Sequence, residues 1–166
     1  MNHILDTATT STDKRWEIIL KRETLFNNVS LRTNYINDKL PIEHRDDNKI
    51  LSEDDMAIFN KYLRAGIAEI NTILARYYQR EFDDYEIDDE SIYFNLSFVL
   101  NAKNSIAFTI KEYLAEFLEL YILKRWYGQE SKVHGIDYDI AETELKLRAA
   151  INYRSTPVRR KAHHIF

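Results

Sequence analysis

From Met56 to Tyr77 the apolar residues Met56, Phe59, Leu63, Ile67, Ile70, Leu74 and Tyr77 recur every three or four positions. That spacing puts them on one face of an amphipathic α-helix, expected to run to about Arg80. Ser52, Glu53, Asp54 and Asp55 make its start, since a hydroxyl can cap free backbone N–H groups and acids oppose the positive helix end. Gly66 lets a neighbouring helix come close. Further on the period changes: Ile92, Phe94, Leu96, Phe98 and Leu100 alternate with Tyr93, Asn95 and Ser97, the pattern of a half-buried strand. Between Ser105 and Tyr127 nearly every turn is apolar, through Ile106, Phe108, Ile110, Leu114, Phe117, Leu118, Tyr121, Ile122 and Trp126. Only a narrow polar stripe of Lys111, Glu112, Glu116 and Glu119 interrupts it. Such a helix must be covered on several sides, as the central helix or as part of a subunit interface. Gly128 is its natural stop. Asp137 or Asp139 opens a last helix with Ile140, Leu147 and Ile151 inward, and Pro157 ends any continuation.

The first fifty residues are less regular. Residues 1–13 read as a polar, flexible arm, after which Asp13 caps a short helix carrying Trp16, Ile19 and Leu20 on one face. Val29, Leu31, Thr33 and Tyr35 alternate with Ser30, Arg32 and Asn34, a weak strand pattern ending before Pro41. Residues 42–51 have no apolar period and read as an exposed loop. A strand cannot leave its backbone unpaired, so residues 92–100 pair either with 29–36 or with a strand of another subunit. In the second case Ile92, Phe94, Leu96 and Phe98 form an intersubunit strand. The expected fold is mainly α: a helical bundle of about four helices over residues 14–153, with one or two short β-strands and an extended basic C-terminal tail over 154–166.

Composition narrows the function classes. Three glycines and two prolines leave little material for tight turns, which disfavours a barrel or sandwich. With no cysteine there is no disulfide, thiolate zinc site or thiol nucleophile. The chain shows neither a signal peptide nor a run of the ~20 apolar residues that a membrane span needs. Net charge is only −4, but the signs are segregated. Acids crowd into Glu81, Asp83, Asp84, Glu86, Asp88, Asp89 and Glu90, and the last dozen residues are basic. The acidic run lacks the central Gly of a calcium loop and reads as a solvated surface that repels phosphates. His163 and His164 are adjacent, which suits metal poorly, and no phosphate loop, nucleophile elbow or zinc-protease motif occurs. No catalytic, metal or cofactor-binding residue is singled out. An enzyme would require Glu112 or Glu116 on the central helix to be sequestered with a shifted pKa.

The tail is the most unusual piece. Arg154, Arg159, Arg160 and Lys161 surround Pro157 and Val158, and Ile165 and Phe166 follow as an apolar anchor. These six residues are the expected contact with a partner or a neighbouring subunit, arginines meeting carboxylates.

The capped Ser52-Glu-Asp-Asp55 helix, the strand Ile92–Leu100, the central helix ending Lys124-Arg-Trp-Tyr127, and the tail Pro157-Val-Arg-Arg-Lys161 closing on Phe166 follow one another in a telling order. Over residues 14–166 this succession resembles the head-to-tail connector proteins of tailed bacteriophages, the adaptor rings beneath the portal, particularly those of crAss-like phages. The resemblance implies a virion structural protein, assembled in the host cytoplasm without membrane or cofactor. It implies a homo-oligomeric ring, commonly of twelve copies, seated on the portal protein and meeting other neck or tail ring proteins. DNA would pass through without sequence-specific binding, and Asp83, Asp84, Asp88 and Asp89 facing the lumen would let it slide. The alternative class is a cytoplasmic helical regulatory or antitoxin-like module that binds one protein partner.

Overall fold

A computed structural model describes residues 13–77, 85–87, 90–99 and 104–152. The chain opens with a strand, β1 (Asp13–Lys21), and turns at once into α1 (Arg22–Lys39). Short 3-10 turns at Ile42–His44, Asp47–Lys49 and Glu53–Asp55 lead to α2 (Met56–Leu74), which tightens into a last 3-10 turn, Ala75–Tyr77. A hairpin of β2 (Tyr85–Ile87) and β3 (Ser91–Val99) precedes the long α3 (Asn104–Tyr127), and α4 (Ile136–Asn152) closes the described chain. The protein is therefore mainly α, the described residues forming four α-helices beside a small antiparallel sheet of order β1-β3-β2.

α3 is the central helix, packed by α1, α2, α4 and β1. Its Ile110, Leu114, Leu118 and Ile122 are fully buried in one core shared with Trp16 and Phe94 of the sheet and Phe59, Ile70 and Leu74 of α2. The coverage that its nearly all-apolar surface demands comes from within the chain. α2 lies close against it at Gly66, where a Cβ would sit 3.1 Å from Leu118 and 3.2 Å from Tyr121. Gly128 ends α3 in the left-handed conformation, φ +55°, as a helix-stopping glycine should. Ser52 and Asp55 form a capping box before α2: the Ser52 side chain faces the Asp55 backbone N–H, and the Asp55 carboxylate accepts from the Ser52 backbone N–H at 3.0 Å and from its hydroxyl at 2.8 Å.

Two expectations fail near the N-terminus, and they fail together. Residues 13–21 are a strand, with Trp16, Ile18 and Leu20 buried at every second position. Residues 29–36 lie inside α1, whose buried positions are Leu25, Phe26, Val29, Thr33 and Asn37. That face follows the helical period but turns polar at its end. Thr33 and Asn37 face inward because the loop after α1 uses them: Leu51 N–H donates to Thr33 Oγ1 at 3.0 Å and Asp46 N–H to Asn37 Oδ1 at 2.9 Å. Ser30 donates to the Leu51 carbonyl at 2.8 Å, and Trp126 Nε1 to the Lys49 carbonyl at 2.7 Å. Residues 42–51, which the sequence marks as a plain exposed loop, are thus strapped onto α1 and α3.

The intersubunit assignment of Ile92, Phe94, Leu96 and Phe98 is corrected by the same swap. β3 pairs antiparallel with β1 along its whole length, from Lys21↔Ser91 through Ile18↔Phe94 to Asp13↔Val99, and β2 pairs with Ile92–Phe94. Residues 29–36 do not supply the partner, and the strand that pairs along the full length of β3 belongs to this chain. Ile92, Phe94 and Leu96 have no exposed surface. They are core residues of this chain, held by hydrogen bonds that β1 completes.

Candidate functional site

β1 is followed by α1 without a linker, and both lie against α3, leaving a groove of about 690 Å³ between them. One wall is α3, where Phe108, Glu112, Glu116 and Glu119 follow at spacings of four, four and three and so share a face. The other wall carries Glu17, Ile19 and Lys21 of β1 and Thr24, Asn28 and Arg32 of α1. Tyr93 and Tyr113 add aromatic surface.

Glu119 forms the floor and is only 5% exposed. A buried carboxylate needs partners, and α1 provides two from positions one turn apart. Asn28 Nδ2 donates to Oε1 at 2.7 Å, and the Arg32 guanidinium lies 3.2 Å from Oε2. Burial pushes the Glu119 carboxyl above its ordinary value. Asn28 and Arg32 pull it down, and the nearby Glu116 and Glu112 charges add to the rise. The cluster therefore acts as a polar rivet joining α1 to α3. Glu112 is exposed and Glu116 half-buried, and neither forms an ion pair among the described residues. The sequestered carboxylate of α3 is Glu119, which sequence reasoning leaves on the solvated stripe.

Large apolar side chains also reach the surface, Met56, Ile58 and Phe108 in part and two sets more fully. On α1 and the turn after it, Leu31, Tyr35 and Ile42 are 66%, 60% and 84% exposed. On α4 and the turn before it, Val133, Tyr138 and Leu145 are 84%, 73% and 69% exposed. Tyr138 and Leu145 stand seven residues apart, on one face of α4.

Of the residues singled out in the sequence, Ile92, Phe94 and Leu96 come together, in the core. The acidic candidates Asp83, Asp84, Asp88 and Asp89 lie outside the described residues, as do the tail contacts Arg154, Arg159, Arg160, Lys161, Ile165 and Phe166 and the His163-His164 pair. Glu90 is described: it is exposed, its carbonyl accepts from Arg22 N–H at 2.9 Å, and its carboxylate is 4.0 Å from Lys21. Among the described residues no group of three His, Asp or Glu side chains is placed to hold a metal ion. No described helix is long and apolar enough to cross a membrane.

Fold and site define a mainly helical protein with a mixed-charge groove and two exposed apolar sets. No family model matches the chain, and no curated protein or solved structure matches it either.

Proposed function

We propose that this chain is the repeating subunit of a homo-oligomeric ring in the neck of a tailed bacteriophage, joining portal and tail while DNA passes through its centre. On this reading the chain carries no catalysis and needs no cofactor. The observation that carries the reading is the pair of exposed apolar sets, one on α1 and the turn after it (Leu31, Tyr35, Ile42) and one on α4 and the turn before it (Val133, Tyr138, Leu145). They belong to two different helices and the turns beside them. Copies that bury one set against the other associate head to tail, and such a contact closes into a ring when the rotation per subunit divides a full turn. The order of elements supports the phage assignment: α2, the hairpin strand, the central helix and the basic tail follow one another as in the connector proteins that the sequence resembles.

The test is the mass of the purified full chain, alone and mixed with a portal ring, beside a chain truncated after Ser155. The expected result is a ring-sized particle on the portal, about 240 kDa for twelve copies of a 19.8 kDa subunit. Truncation is expected to weaken or abolish it. A chain that ignores the portal and instead forms a one-to-one complex with a single host protein would overturn the reading in favour of a regulatory binding module.

A further inference from the structure

The groove between β1, α1 and α3 has charges that the described chain does not use. Four carboxylates line it, Glu17, Glu112, Glu116 and Glu119, against three cations, Lys21, Arg32 and Lys111. Arg32 is engaged by Glu119, and Lys21 approaches Glu90. Among the lining residues that leaves Glu17, Glu112 and Glu116 against Lys111, an excess of two negative charges in a half-open cleft, and Lys146 of α4, which also lies near Glu116, is itself paired with Glu142 at 2.9 Å. At the end of the acidic stripe Phe108 is 48% exposed. The wall thus offers an apolar point, then acids.

One segment of this chain has the complementary pattern. After the last described residue, Asn152, come Arg159, Arg160 and Lys161 and then Ile165 and Phe166. The spacings agree as well. Extended backbone from Lys161 to Ile165 covers ~13 Å, and the rise along α3 from Phe108 to Glu116 is ~12 Å. We propose that the groove is the receptor for the C-terminal segment of a neighbouring copy, with Arg159, Arg160 and Lys161 on Glu112 and Glu116 and the Ile165–Phe166 pair at Phe108.

The placement of α4 makes this reachable. Lys124 pairs with Asp137 at 2.8 Å, while Lys146 feels the charge of Glu116, so α4 runs antiparallel to α3. Asn152 therefore lies toward the first turns of α3, and the fourteen residues after it span at most ~46 Å when extended. A contact in which each copy gives its segment to one neighbour and receives a segment from another is head to tail, and this inference rests on the ring reading for its choice of such a neighbour over the same chain or a reciprocal dimer.

The experiment uses the full chain in two forms. Glu112→Lys with Glu116→Gln spoils the groove, and Arg159→Glu with Arg160→Glu spoils the segment. First, a fluorescent peptide of residues 153–166 is titrated by anisotropy onto the segment variant, whose groove is intact, and onto a chain carrying both pairs of substitutions. Saturable binding to the first, weakened at least tenfold on the second at an unchanged melting temperature, is expected; equal binding or none overturns the proposal. Second, the two variants are weighed separately and mixed. One intact segment then meets one intact groove, so a one-to-one heterodimer forms only in the mixture. A mixture that stays monomeric although the peptide binds means that a segment attached to one copy does not reach another copy's groove, and a wild-type chain that stays monomeric where the mixture dimerises means that the segment occupies its own chain's groove; either result overturns the proposal. Heterodimers of the two variants, beside a wild-type chain that never forms a ring on the portal, would leave the groove assignment standing and remove the ring.

Discussion

Arg32→Ala should expose how α1 is held to α3. The substitution leaves the Glu119 carboxylate, 5% exposed, with Asn28 as its remaining partner. Breaking a fully buried ion pair from one side costs about 3–5 kcal/mol, and an exposed pair is worth about 0–1 kcal/mol. Arg32 is itself 40% exposed, so solvent screens part of the interaction and about 2 kcal/mol is the expected loss near neutral pH. The sign of its pH dependence follows from the direction of the Glu119 shift. The folded carboxyl titrates above its ordinary value of 4.5, so the folded state holds the proton more tightly than the unfolded one. Glu119 thus costs stability above its folded pKa, and that cost disappears as pH falls toward 4.5. Removing Arg32 raises the folded pKa further. Its penalty is therefore full at neutral pH and fades in mild acid, where Glu119 is neutral in both states. Urea unfolding of wild type and Arg32→Ala at about pH 7.5 and about pH 4 reads this directly, a 2 kcal/mol loss moving the midpoint by about 1 M. In a Glu119→Gln background the same substitution should cost much less at either pH. Equal losses at both pH values, or an undiminished loss in the Gln background, would refute the coupling.

Three further outcomes follow from the packing. Gly66→Val should cost about 2 kcal/mol by overpacking against Leu118 and Tyr121, while Gly66→Ala costs less because helix propensity returns about 1 kcal/mol; thermal melts compare the two. Phe94→Ala should lose about 3–5 kcal/mol in denaturant titration, because Phe94 has no exposed surface in the middle of β3. Burial and the Glu130 charge push the Tyr127 hydroxyl up to about 12. Since the unfolded phenol ionises near 10.0, stability should fall as pH rises from there toward 12, and Tyr127→Phe should remove that component from the ultraviolet titration.

The sequence is legible where burial is apolar and periodic. Phe59, Leu63, Ile67, Ile70 and Leu74 mark α2 at helical spacing, and Ile92, Phe94 and Leu96 mark β3 at period two, because each set faces one core. α1 is illegible for a definite reason: its inward positions include polar Thr33 and Asn37, and its outward ones include Leu31 and Tyr35. The hydrophobic signal there is inverted, and alternation from Val29 to Tyr35 imitates a strand. β1 was readable from Trp16, Ile18 and Leu20, but the Ile19–Leu20 pair also fits a helix turn. Once residues 22–39 are misread, the site goes with them, since Asn28 and Arg32 face one carboxylate only if they lie a helical turn apart. The remaining signal was Glu119 itself, a single acid inside Phe117-Leu118-Glu119-Leu120-Tyr121-Ile122.

The late position of β3 imposes a timetable on the chain. β1 leaves the ribosome first and carries Trp16, Ile18 and Leu20, yet its hydrogen-bonding partner starts only at Ser91. Closing that loop of about 70 residues costs about 4 kcal/mol of chain entropy before any sheet contact repays it, so the β1–β3 ladder should be a slow step in folding. At about 5–20 residues per second, strand and ladder are separated by roughly 4–15 s of synthesis. Throughout that interval an apolar, β-prone segment has nothing of its own chain to pair with. A polypeptide interrupted anywhere before Val99 keeps it permanently, and such fragments are expected to aggregate where the whole chain folds.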